Sequence, residues 1–135
     1  MPADSPVDDL SHLVQRVETS SGNYALAATR LSLKISAFEK KLQSMLGKVE
    51  ASVAVEPPHY LGFRRLKDDW VLVLHDSKSQ NMTRLTSADI EWKAKAAVAF
   101  AELLSQMHKI QNERMDGINK ALRLIPDVET EKEGA

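Results

Sequence analysis

The chain has 135 residues and no cysteine, so it is long enough to bury one core unaided, while disulfides, thiolate catalysis and thiolate metal sites are excluded. Its formal charge of −1 hides an asymmetry: residues 10–125 carry 12 acidic and 17 basic side chains, and acidic ends flank that basic body. The opening MPADSPVDD is acidic and holds two prolines, unlike a secretory signal, and the longest run of large apolar residues, WVLVL, falls far short of the about 20 needed to cross a bilayer; the expectation is a soluble, cytoplasmic protein without membrane contact.

Residues 1–9 read as a disordered acidic lead. From Leu10, steps of four and three residues pick out Leu10, Val14, Val17, Ser21, Tyr24, Ala28, Leu31, Ile35, Phe38, Leu42, Met45 and Val49, and all but Ser21 are apolar or aromatic. That heptad seam predicts a long helix over about 10–50, weakest at SSGN, where Gly22 costs roughly 1 kcal/mol against alanine and invites a break.

Pro57-Pro58 marks a crossover. Over 59–76 the apolar period falls to two: Leu61 and Phe63 alternate with Gly62 and Arg64, and Trp70, Leu72 and Leu74 with Val71, Val73 and His75. This predicts a β-hairpin turning at Lys67-Asp68-Asp69. Its second strand is apolar on both faces, and its edge invites pairing with another strand, so a four-stranded sheet shared by two chains is expected. Residues 80–86 add a short strand through Met82 and Leu85.

Thr86 or Ser87 then caps a second helix over about 87–125, with seam Ile90, Ala94, Ala97, Ala101, Leu104, His108, Gln111, Met115, Ile118, Leu122 and Ile125. Pro126 ends it, and 127–135 read as a disordered acidic tail. The fold class is therefore mainly α (α+β), with two long antiparallel heptad-patterned helices joined by a central β-hairpin in a single domain over 10–126. Antiparallel pairing sets Phe38 and Leu42 opposite the alanines and brings Ser21 and Tyr24 to His108 and Gln111 as a polar core layer. Leu26 and Leu33, with Phe100, Leu103, Met107 and Ile110, form second stripes. Leu26, Leu33, Phe100, Leu103 and Met107, together with Val71 and Val73 of the sheet, are expected to form the interface of a homo-oligomer, most simply a dimer.

The glycines are scattered and no catalytic or metal-loop motif is present, so no cofactor, metal or catalytic residue is implied. His59 and His75 with Asp76 are the nearest approach to a titrating or metal cluster, and read as packing or surface groups. His108 reads as a bundle histidine and His12 as a residue near the helix start. Arg64, Arg65 and Lys67 lie among Tyr60, Phe63 and Trp70, a mixture able to contact nucleic acid. The helix–hairpin–helix layout resembles that of a prefoldin-type chaperone subunit as an arrangement, with no shared motif, which would imply a client-holding chaperone. The leading expectation is a non-enzymatic, homo-oligomeric helical scaffold or adaptor that also engages another protein. A nucleic-acid-associated protein using the basic hairpin is the alternative.

Overall fold

The computed structural model describes residues 6–127, so the disorder expected over 1–5 and 128–135 lies outside the described residues. Helix α1 spans Pro6–Gln43, followed by strands β1 (Ala51–Glu56), β2 (His59–Leu66), β3 (Asp69–Asp76) and β4 (Met82–Arg84). A single 3-10 turn, Leu85–Ser87, leads into helices α2 (Ile90–Val98) and α3 (Phe100–Leu124). The four strands make one antiparallel sheet in the order β1-β2-β3-β4, all from one chain. The expected hairpin is thus the centre of a larger sheet that needs no second chain to reach four strands.

Helix α1 begins four residues before the expected start, with Pro6 in the first turn, where its missing N–H costs nothing. It ends at Gln43 instead of near residue 50. The Ser44 hydroxyl donates to Lys41 O at 2.7 Å, and Gly47 takes a positive φ of 67°, a conformation that glycine adopts without strain. Residues 51–56, ASVAVE, then alternate buried Ala51 and Val53 with exposed Ser52 and Ala54, the pattern of a strand with one wet face. Pro57 and Pro58 form the turn between β1 and β2. The β2–β3 turn is the two residues Lys67 and Asp68, with Leu66 paired to Asp69. The second helix is interrupted at Ala99, and Asp89, without a side-chain capping bond, stands at its start in place of Thr86 or Ser87.

One face of the sheet carries Ala51, Val53, Leu61, Phe63, Leu72 and Leu74. These pack with Ile35 and Leu42 of α1, Ala96 of α2, Leu103 and Met107 of α3, and Leu85. Phe38 stacks on Phe100 at 4.2 Å between ring centroids. At about 25 cal/mol per Å² of apolar area, burial of this layer is the main stabilising term.

The helices lie side by side in the same sense, not antiparallel. Ser32 accepts a hydrogen bond from Lys93 Nζ, Phe38 meets Phe100, and Gly47 O accepts from Gln111 Nε2, so the contacts ascend together along both segments. The sheet explains it. Glu39 and Gln43 of α1 meet Leu72 and then Trp70, against the direction of β3. Lys95 pairs with Glu56 and Gln111 with Gly47, so α2 and α3 run against β1. Strands β1 and β3 are parallel to each other, both being antiparallel to β2.

The same contacts finish the sheet edge. Strand β4 pairs with β3 only from Val73 to His75. Beyond it, Glu39 Oε2 accepts the Leu72 N–H at 2.8 Å, and Gln43 Nε2, one helical turn on, donates to Trp70 O at 2.7 Å. Two helix side chains thus take the place of a longer fourth strand, because a buried backbone group without a partner is costly. Glu39→Ala should lower the unfolding free energy by about 1–3 kcal/mol in urea titration. Lys40→Ala, on the exposed neighbour, should change it by less than about 0.5 kcal/mol.

Candidate interaction surfaces

The expected histidine cluster divides across the sheet. His59 is paired with Asp76 and His75 with Tyr60, so the two imidazoles occupy opposite faces. His59 Nε2 lies 3.6 Å from Asp76 Oδ2 and its ring packs on Trp92 at 4.3 Å. Lys95 sits over the same indole at 4.6 Å and binds Glu56 at 2.7 Å. This group fastens the start of α2 to the β1–β2 turn. Among the described residues, no group of three or more His, Asp or Glu side chains stands close enough to hold a metal ion. Asp76 accepts the N–H of Lys78 at 2.9 Å and of Ser79 at 3.2 Å. Those donors, Lys78 first, hold its carboxyl below the usual carboxylate range, with a smaller contribution from His59.

Strand alternation also divides the basic hairpin. Arg64 shares the outer face with Tyr60 and His75, whereas Arg65, opposite Trp70, lies on the inner side and donates from Nε to Lys67 O. Lys67 is in the turn, with a positive φ of 56°. Arg64, Arg65 and Lys67 therefore do not form one basic patch with the aromatics. The outer face instead holds an open cleft of about 580 Å³ floored by Gly62 and Val73 and walled by Tyr60, Arg64 and His75, with Gln106 and Ile110 of α3 at its side.

Four of the residues expected at an oligomer interface are used within the chain. Leu103 and Met107 belong to the core. Val71 and Val73, on the outer face, are only 1% and 0% exposed, beside Arg64 and Arg84, their cross-strand neighbours, whose long stems can cover apolar surface. Phe100 is half-buried on Phe38. Leu26 and Leu33 remain 67% and 66% exposed. The polar layer does not form inside the chain: Tyr24 is exposed, His108 Nε2 meets Asn112 Nδ2 at 3.2 Å, and Gln111 Nε2 donates to Gly47 O. With the helices in the same sense, Tyr24 and His108 belong to opposite ends of the molecule.

Much of the heptad seam expected inside an intramolecular bundle is exposed. Every residue of α1 from Asp9 to Ala27 is exposed, including the seam residues Leu10, Val14, Val17 and Tyr24. From Asn112 to Leu124 every residue of α3 is exposed as well, including Met115, Ile118 and Leu122. Both helices therefore leave the core as bare arms carrying half a seam. Since α1 is free at its N-terminal half and α3 at its C-terminal half, and the two run in the same sense, the arms project from opposite ends.

Among the described residues no helix is long and apolar enough to cross a membrane. Comparison with protein-family models, with curated proteins and with solved structures finds no match.

The Asp76 turn gives a pH signature. Its folded-state pKa lies below the unfolded value, so its contribution is complete above the unfolded carboxylate value of about 3.9 and is lost as pH falls through the lower folded value. In NMR titration the Lys78 and Ser79 amide signals should shift as pH falls through that lower value in the parent protein and stay put in Asp76→Asn.

Proposed function

We propose that this chain is a non-enzymatic assembly module, a homo-oligomeric helical scaffold or adaptor whose sheet-and-helix head holds two apolar arms for partner helices. The observation that carries this reading is the split use of one continuous seam. Its C-terminal half, Ile35 and Leu42 with half-buried Leu31, Phe38 and Met45, is packed into the chain's own core. The seam runs in phase into the N-terminal half, where the same kinds of residue meet only solvent.

An arm of this kind is poorly stable alone. Isolated helices of fewer than about 12–15 residues are marginal in water and longer ones depend on packing of an apolar face. Gly22 lowers helix preference further, and nothing lies within 4 Å of where its side chain would be. A contiguous apolar stripe of this length is also unusual on the surface of a monomer. Burial against another helix resolves both.

Light scattering at micromolar concentration should give at least twice the 15.0 kDa chain mass. Val14→Asp with Val17→Asp should return the protein to a monomer and leave the near-ultraviolet signal of Trp70 and Trp92 unchanged, because neither substituted residue touches the core. A 15.0 kDa species for the unsubstituted protein would contradict the proposal.

A further inference from the structure

The partner of each arm can be assigned from the spacing, polarity and direction of the two arms. We infer that the protein is a two-fold dimer by arm exchange: the N-terminal arm of α1 in one copy lies antiparallel against the C-terminal arm of α3 in a second copy, and the reciprocal contact forms at the other end. This rests on the assembly reading above and goes beyond it by naming occupant, direction and register.

Direction comes first. The free arms leave opposite ends of a chain in which α1 and α3 run in the same sense. A two-fold axis perpendicular to the helices inverts the second copy, so its α3 arm falls at the end where the first copy's α1 arm projects, running the other way. One operation covers all four arms, as an isologous interface requires. Pairing α1 arms with each other would leave both α3 arms bare.

Register follows from the steps. Inward from its tip the α1 seam proceeds from Leu10 by four, three, four and three residues to Tyr24; inward from Leu122 the α3 seam proceeds by the same steps to His108. Antiparallel pairing therefore sets Leu10 against Leu122, Val17 against Met115 and Tyr24 against His108, with no residue left over. The paired seam stretches, Leu10 to Tyr24 and His108 to Leu122, are each about 21 Å long, at 1.5 Å per residue. The seam's one polar level, Ser21 and Tyr24, meets the other's at exposed His108, while half-buried Gln111 keeps its bond to Gly47 O in its own chain. That part of the layer expected within one chain is thereby formed between two, where a polar level among apolar ones fixes register.

Charge agrees. From Asp9 to Ala27 the α1 arm has two acids and one base, while from Asn112 to Leu124 the α3 arm has two acids and three bases. Antiparallel exchange brings the acidic tip of the first, at Asp9, to the basic tip of the second, at Lys120 and Arg123.

The chain's lack of cysteine makes the test direct. Chains carrying Val17→Cys are mixed with chains carrying Met115→Cys, equilibrated, and treated with a short bis-maleimide. Denaturing electrophoresis should show a covalent dimer from the mixture and little from either variant alone. Leu10→Cys mixed with Leu122→Cys should behave alike, and so covers any disturbance of assembly by the inner pair. Circular dichroism and light scattering before coupling establish that the variants fold and assemble. Cross-linking of Val17→Cys chains to themselves, or assembly without cross-linking of either mixed pair, would overturn arm exchange and leave the assembly reading standing. A monomeric parent protein would overturn both.

Discussion

Burial of one sheet face under α1, α2 and α3 is the constraint from which the remaining features follow. Leu61, Phe63, Leu72 and Leu74 present an apolar surface that is satisfied only by a packed second layer. The helices meet it with Ile35, Leu42, Ala96, Leu103 and Met107, drawn from the C-terminal half of α1 and the N-terminal half of the α2–α3 segment. Once those halves are spent on the sheet, the other halves meet nothing to bury against among the described residues. The head and the arms are two consequences of one packing choice.

The direction of the helices follows from the same sheet. From α1 the chain reverses into β1, then at each of three hairpin turns, and emerges from β4 through the 3-10 turn into α2 without reversing again. An even number of reversals returns it to the direction of α1. A single hairpin between the helices implies the opposite, and only that antiparallel pairing would bring Ser21, Tyr24, His108 and Gln111 together within one chain. The edge contacts of Glu39 and Gln43 are a second result of this geometry, because β4 is too short to pair with all of β3.

Much of this was legible in the sequence, and the failures have identifiable physical causes. The period-two pattern over 59–76 located β2 and β3 and their turn to within a residue, although Val71 to Leu74 are buried in succession. Strand β1 carries the same signal in SVAV, but Val49 also fits the heptad phase, which extends the expected helix to about residue 50. The helix instead ends at Gln43, and the positive φ at Gly47 in the connection to β1 is a backbone property with no periodic signature. The interruption at Ala99 had no signal either, since alanine is the best helix former. The two apolar stripes on α3 were visible, but not their allocation. The structure gives Leu103 and Met107 to the sheet and leaves Met115, Ile118 and Leu122 exposed. Periodicity shows that a face is apolar and does not say what covers it.

Amide hydrogen exchange measured at two protein concentrations tests the division into head and arms most directly. Amides of residues 31–42, inside the head, should exchange at the same rate at both. Those of residues 10–27 and 112–122 should become more protected as concentration rises, since in the proposed dimer each arm packs on a partner. Protection of the arms equal to that of the head and independent of concentration, in a protein that remains monomeric, would contradict the account.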